Sequence, residues 1–255
     1  MEHRFGSNEN EECKIDGISQ SWAVISGVGE KERCIQAMNS LENYLVDKEN
    51  MIIKLLTPAF SKGEKDPGYI KSYIPGVREN GGQYTHGAVW SVIANSMLGD
   101  GERAGEYFRM LNPIEHARTK EAALKYKVEP YVVAADVYSN VRMLGRGGWT
   151  WYTGSSSWLY IAGLEYVLGI KKYGDKIKIR PCIPSEWESY QIEYAYENAN
   201  YLITVYNSDS CCTGVKMIYL DNDGIDLNEM EDGIALQSEG THKIDVIMGE
   251  KESRK

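Results

Sequence analysis

Two hydrophobic periods divide the chain. From about Ser19 to Ile170, apolar residues recur at three- and four-residue spacing in helix-length blocks separated by Gly- and Pro-rich loops. Over Glu30 to Val46, Cys34, Ala37, Met38, Leu41 and Leu45 form one apolar stripe, while Lys31, Glu32, Gln36 and Glu42 form the opposite polar face. The same spacing predicts helices over Thr85 to Leu98, Glu102 to Leu111, His116 to Tyr126, Pro130 to Tyr138 and Ser155 to Leu168. The GDG before Glu102 supplies turn and cap chemistry, and Glu129-Pro130 reads as a helix start. After Lys172 the period falls to two. KIKIRP, YQIEYAY, YLITVYN, VKMIYL and HKIDVIM alternate apolar and polar residues and predict antiparallel strands with one buried face.

These patterns predict a linker, disordered or truncated, at 1–12, a helical domain over 13–173, a β domain over 174–248 with its boundary near Gly174, and a frayed tail at 249–255. About six helices is an odd complement for a closed domain, because a ring of inner and outer helices closes only when complete. The polar opening also runs directly into ECKIDGISQSW with no helix to support it. Both features lead to the expectation that sequence is missing before Met1.

The 255 residues, 42% of them hydrophobic, are enough to bury a core. A net charge of -9 and a pI near 5.1, with no Lys/Arg cluster, exclude a nucleic-acid backbone as partner. No apolar run approaches the roughly 20 residues that span a bilayer, and MEHRFGSNENEEC lacks the apolar middle of a signal peptide, so a cytoplasmic location is expected. Cys13, Cys34, Cys182, Cys211 and Cys212 are odd in number and contain no CxxC pair, which fits reduced thiols. Eighteen Tyr and six Trp against three Phe suit sugar stacking, although the same residues line ordinary cores.

Three loop segments carry residue types that packing alone does not call for: DGISQSW (16–22), GVRENGGQYTHG (76–87) and GRGGWTWYTGSSSW (145–158). The second brings Arg78, Glu79, Asn80, Gln83, Tyr84 and His86 together before a predicted helix, and Gly81 and Gly82 permit left-handed or close-approach backbone. A helix start favours an anion through its free N–H groups and dipole, so phosphate beside His86 is physically reasonable. The third repeats the pattern: Gly147 and Gly148 open the loop, Trp149, Trp151 and Tyr152 supply flat faces, and Thr153, Gly154 and Ser155 can donate to phosphate oxygens. The alternative for each is plain capping, with His86 a satisfied core residue and TGSSS an ordinary helix start. Asp16, Glu79, Glu129 and Asp136 could each serve as acid or base, but no spacing pairs them. His116 and His242 read as surface residues. Four scattered histidines exclude a metal site, and GRGG lacks the context of a nucleotide loop.

Taken in order, IDGISQSWAVISG, RENGGQYTHGAVW, EPYVVAADVY, GRGGWTWYTGSSSW and PCIPSEW resemble the C-terminal region of glycoside hydrolase family 94, over about residues 13 to 190. That family includes cellobiose, chitobiose and 1,2-β-oligoglucan phosphorylases and the C-terminal part of cyclic β-1,2-glucan synthase. EPYVVAADVY with GWTWYTGS looks most like its β-1,2-glucan branch.

The resemblance implies a mainly α fold with C-terminal β, namely the second half of an (α/α)6 barrel followed by an antiparallel β-sandwich-like domain. It implies that His86, Thr153 and Gly154 hold phosphate and that Glu79, Gln83, Tyr84, Gln20 and Trp151 contact sugar. Ala134 and Ala135, which offer no side-chain hydrogen bond, would favour one acceptor sugar over another. The implied reaction is inverting phosphorolysis, with inorganic phosphate as co-substrate and no other cofactor. The family's acid, an Asp in a GDWND-like segment, and its further phosphate-binding arginines have no counterpart in this sequence. Little activity is therefore expected of the chain alone, and its expected partners are an oligosaccharide, phosphate, the missing N-terminal half and a second copy in a homodimer. Two other readings stay open: a carbohydrate-binding remnant without catalysis, and a hydrolase using Asp16 or Glu79 as acid.

Overall fold

The structure, a computed structural model, describes residues 5–63, 66–151, 153–226 and 233–250. In chain order, β1 (Ile15–Asp16) leads into α1 (Gly17–Ile25), and α2 (Lys31–Leu45) is followed by β2 (Val46–Asp47), β3 (Ile52–Ile53) and β4 (Leu56–Thr57). After a 3-10 turn at Gly68–Ser72, β5 (Gln83–Tyr84) enters α3 (Thr85–Leu98). Next come α4 (Gly101–Leu111), α5 (Pro113–His116), α6 (Lys120–Tyr126), β6 (Asp136–Val137) and β7 (Gly147–Gly148). The helix α7 (Thr153–Ile161) passes into a π-helical turn at Ala162–Val167. The remaining strands are β8 (Ile170–Tyr173), β9 (Lys176–Ile179), β10 (Ser189–Tyr196), β11 (Asn198–Tyr206), β12 (Val215–Leu220), β13 (Asp223–Ile225), β14 (Ile234–Ala235) and β15 (Glu239–Met248).

The chain divides into two compact units, Met1–Leu98 with Glu106–Ala162, and Gly99–Gly105 with Gly163–Lys255. The boundary expected near Gly174 thus falls inside the second unit. In the first, Asp16 caps α1 by accepting from the Ser19 N–H at 2.9 Å, and the predicted stripe of α2 is buried at Cys34, Met38, Leu41 and Leu45. Helix α3 is buried on several faces, and its Gly87, Ala88, Ser91 and Ala94 are small enough to let neighbouring helices approach. Beside it, Ile52, Tyr126, Val128, Val132, Ala134 and Val137 form one core cluster.

Several expectations are corrected. Pro130 to Tyr138 is not a helix: Val132 and Ala134 are buried while Val133 and Ala135 are half-buried, and this period of two ends in strand β6. The helix expected over His116 to Tyr126 forms only over Lys120–Tyr126, as α6, which Thr119 caps; His116 is the last residue of the short α5, which Asn112 caps. Within the expected linker, residues 5–12 are held in place: the Phe5 ring lies edge-on to Phe60 at 5.4 Å, and the Gly6 N–H donates to the Cys13 carbonyl at 2.9 Å. Glu12 Oε1 accepts from the N–H groups of Ser61, Lys62 and Gly63 at 2.7, 2.9 and 3.0 Å. Of the expected tail, only Gly249 and Glu250 lie within the described residues.

His116 is not at the surface. It is 5% exposed, stacks on Tyr126 at 4.6 Å and donates from Nε2 to the Met110 carbonyl at 2.7 Å. His242 is half-buried and held on both nitrogens, by Asp221 Oδ2 at 2.8 Å and the Glu239 carbonyl at 2.9 Å.

In the second unit a five-stranded sheet has the order β10-β11-β15-β12-β13, and a three-stranded sheet the order β14-β9-β8. The strands are not all antiparallel. β11 and β15 run parallel from Asn198↔Glu239 to Tyr206↔Ile247, which β12 and β13 make possible by filling the crossover between them. Ile203, Val205, Ile244, Val246 and Met248 are fully buried and form its core. Among the described residues all five cysteines are free thiols, and no helix is long and apolar enough to cross a membrane.

Burial lowers the His116 pKa, against the opposing bond to Met110. A depressed His pKa stabilises the fold fully above the unfolded value of about 6.5 and progressively less as pH falls towards the folded value. Thermal melts between about pH 7.5 and 5.5 should lose more stability in the wild type than in His116→Gln, and equal losses would remove this account. Burial pushes the Glu12 carboxyl up, but the N–H groups of Ser61, Gly63 and Lys62 bring it below the ordinary value. Replacing Glu12 by Ala should speed hydrogen exchange at those three amides, whereas unchanged exchange would mean that the turn holds itself.

Candidate functional site

The site is organised by a small antiparallel sheet, β5-β6-β7, in which Tyr84 pairs with Asp136 and Asp136 with Gly148. It joins the 76–87 and 145–158 segments through the EPYVVAADVY stretch, whereas 16–22 lies outside it. Two further bonds extend it, Thr85 N–H to the Ala135 carbonyl at 2.9 Å and Ala135 N–H to the Trp149 carbonyl at 2.8 Å. Gly147 is required by close packing: a Cβ there would lie 2.4 Å from Val128 Cγ2 and 3.0 Å from Tyr126 Cε2 in the core cluster.

In the 76–87 segment both properties expected of the glycine pair are present. Gly81 has φ of +81°, and a Cβ on Gly82 would fall 2.8 Å from the Arg78 carbonyl oxygen. Two polar residues of the segment serve as its frame. Asn80 is buried, donates to the carbonyls of Phe60 and Tyr73 at 2.9 and 2.7 Å, and accepts from the Phe60 N–H at 2.7 Å. Gln83, expected at the sugar, is 1% exposed; its Oε1 accepts from the Ile53 N–H at 2.9 Å and its Nε2 faces Thr85 Oγ1 at 3.4 Å. The structure therefore keeps Gln83 away from the surface.

His86 stands in the first turn of α3, half-buried among aromatic rings. It stacks with Tyr84 at 6.2 Å, meets Trp90 at 5.0 Å and lies 5.9 Å from Trp158 of α7, while Trp90 meets Trp22 of α1 at 5.4 Å. Burial lowers its pKa, favouring neutral imidazole. Helices α3 and α7 pack together with their starts adjacent. The position of a Cβ on Gly154 would be 3.6 Å from His86 Nδ1, and Thr153 and Gly154 are exposed at the opening of α7. The hydroxyls of Ser156 and Ser157 donate to the Thr153 carbonyl at 2.9 and 2.8 Å, and the first N–H groups of a helix have no partner within the helix itself. The Trp90 indole N–H is buried without a hydrogen-bond partner among the described residues.

Beside this pair of helix starts lies a second group. Arg78, at φ +49°, sets its guanidinium 4.4 Å from the centre of the Trp149 ring and its Nε 3.4 Å from Glu79 Oε2. Trp149 and Trp151 both have positive φ, +53° and +66°, and are 51% and 67% exposed. Strained backbone under exposed aromatic rings is a feature of ligand clamps. Trp151 donates to Glu129 Oε1 at 3.3 Å and lies 6.3 Å from the exposed Tyr131.

The structure thus brings His86, Tyr84, Thr153 and Gly154 together, sets Glu79 with Arg78, and sets Trp151 with Glu129. Gln20 is elsewhere, in a cavity of about 530 Å³ that it lines with Lys14, Ser40 and Tyr44. Tyr152 lies outside the described residues. Sequence reasoning did not find the wall formed by Trp22, Trp90 and Trp158, although the four-residue step from His86 to Trp90 was a usable signal. Among the described residues no group of His, Cys, Asp and Glu could hold a metal ion.

The glycosyl hydrolase 94 superfamily, catalytic domain, matches residues 1–169. Over 201 residues the chain is 54% identical to the cyclic beta-(1,2)-glucan synthase NdvB of Rhizobium meliloti, covering 79% of this chain and 7% of that protein. It is 31% identical over 220 residues to the N,N'-diacetylchitobiose phosphorylase of Vibrio proteolyticus and 30% identical over 220 residues to the solabiose phosphorylase of Paenibacillus borealis. Those alignments cover 86% of this chain and 27% and 28% of the two phosphorylases, so the chain spans under a third of the length of these relatives. Likeness to solved structures is slight, with a TM-score of 0.30 and 14% identity to a family GH92 alpha-mannosidase from Bacteroides thetaiotaomicron. On the match of its helical segment, which contains every motif of the site, the chain belongs to the glycosyl hydrolase 94 superfamily.

Proposed function

We propose that this chain supplies the phosphate- and sugar-holding part of an inverting glycoside phosphorylase acting on a β-1,2-linked glucan. The observation that carries the proposal is the adjacency of the starts of α3 and α7, with His86 and Gly154 facing one another. A phosphate between them would accept from the imidazole, the Thr153 hydroxyl and the Gly154 N–H, in the field of a helix start. The identity to a β-1,2-glucan synthase supports the linkage. In this reading the helical unit is half of an (α/α)6 barrel, the C-terminal unit is the β-sandwich-like domain, and the working enzyme includes the missing N-terminal half and forms a homodimer.

In the reaction, a phosphate oxygen attacks the anomeric carbon while the glycosidic C–O bond breaks on the opposite face. The leaving oxygen takes a proton from a carboxylic acid, and the products are an α-sugar 1-phosphate and the shortened acceptor. Phosphate replaces the activated water of an inverting hydrolase, so one acid suffices. Glu79, Tyr84 and Trp151 hold the sugar. Of the four carboxyls weighed as acids, Asp16 caps α1, Glu129 accepts from Trp151 and Asp136 is fully buried, while Glu79, beside the Arg78 cation that favours its ionised form, serves as an acceptor for the sugar. The acid therefore comes from outside this chain, which acts as a binding half-site when alone.

Calorimetry with inorganic phosphate and with sophorose tests this. Both should bind the chain without turnover, and phosphate affinity should fall about 10- to 100-fold in His86→Ala, the loss expected for a hydrogen bond to a charged partner. Phosphate affinity unchanged in both His86→Ala and Thr153→Ala, or release of reducing sugar without phosphate, would sink the proposal.

A further inference from the structure

Asp136 takes no part in the proposed reaction, yet it occupies the centre of the sheet that builds the site. It is 0% exposed, and its two oxygens are treated unequally. Oδ2 accepts from the Arg78 N–H at 3.2 Å, whereas Oδ1 is buried with no hydrogen-bond partner among the described residues. A half-satisfied buried carboxylate is unfavourable, and a core of similar shape could be built from an apolar side chain. Its position accounts for it. Asp136 lies opposite Tyr84 on one side and Gly148 on the other, and it holds the amide of Arg78, a non-glycine residue in the left-handed region.

Arg78 is held at two points, its backbone N–H by Asp136 and its side chain by Glu79, whose Oε2 lies 3.4 Å from Nε, and its guanidinium covers the ring of Trp149. The geometry points to Asp136 as a positioning residue: in its ionised form it holds the Arg78 amide in the left-handed region, which sets the guanidinium on Trp149 and keeps Glu79 placed beside it for a sugar hydroxyl. This rests on the sugar-binding reading given above. With Asp136 neutral the bond to the Arg78 amide weakens, and the guanidinium and Glu79 lose the placement that the sugar needs.

The balance is set close to physiological pH. Burial raises the Asp136 pKa to about 6, opposed by the charge and N–H of Arg78 and reinforced by Glu79. The other titratable side chains near it include Tyr84, opposite it on β5, Tyr138 of its own segment and, through Tyr138, Arg146. Asp136 is therefore ionised above about pH 6 and neutral below it, and sugar affinity follows the ionised form.

Two measurements on the full chain test this. The first is sophorose affinity by calorimetry across the transition. The wild type should weaken about tenfold per pH unit below it, while Asp136→Asn should keep a cooperative thermal melt, bind weakly and show a flat profile. Sophorose binding by Asp136→Asn at wild-type strength with the wild-type pH profile overturns the inference. The second needs no ligand: the fluorescence difference between wild type and Trp149→Phe, which cancels the rings near His86, should change near pH 6. No change there in the wild type, or the same change in Asp136→Asn, overturns the inference even if the asparagine variant folds poorly. Failure of sophorose to bind the wild type at any pH, with the fluorescence transition intact, counts against the sugar-binding reading and leaves the coupling of Asp136 to Arg78 standing.

Discussion

The pairing of two residues, Asp136 and Val137, with neighbours on both sides is the constraint on which the site depends. A two-residue strand has negligible stability of its own. It forms here because Val132, Ala134 and Val137 dock on Ile52, Tyr126 and Val128, and that apolar cluster fixes which residues face inward. Once β6 is fixed, β5 and β7 follow, and with them the starts of α3 and α7. A few backbone hydrogen bonds thus carry the precision of a site whose side chains come from segments about 70 residues apart in sequence.

Polar residues divide into those that build the frame and those that face outward. Asn80 and Gln83 spend their hydrogen-bonding groups on backbone and on each other's surroundings, fixing the 76–87 segment against residues 53 to 73. His86 lies half-buried at the start of α3, with Thr153 and Gly154 exposed at the adjacent start of α7. Charge is concentrated beside this pair, where Arg78, Glu79 and Asp136 form a mixed cluster under Trp149. In the partly dry setting of the site such a cluster responds to neutralising any one member.

Much of the helical unit was legible because α2 buries one face and α3 is bounded by Gly-rich loops at both ends. The stripe of α2 and the limits of α3 follow directly from spacing. The failures share a cause. Pro130 to Tyr138 has the composition of either state, and only pairing with β5 and β7 decides it. His116 looks like a surface histidine among charged neighbours until Tyr126 stacks on it. Likewise, nothing local separates Gln83, which is structural, from Tyr84, which faces the site. The motifs marked the place where chemistry gathers, while the assignment of each polar group waited on contacts between segments distant in sequence.

The carboxylate of Glu12 in the turn at Ser61–Gly63 has a consequence for anion selectivity. Three successive N–H groups converging on one oxygen form a receptor as suitable for phosphate as a helix start. The chain fills it with a tethered anion of its own, whose effective concentration exceeds that of free phosphate in solution. That turn is thereby closed to free phosphate, which in the proposed reaction is taken up at the pair of helix starts.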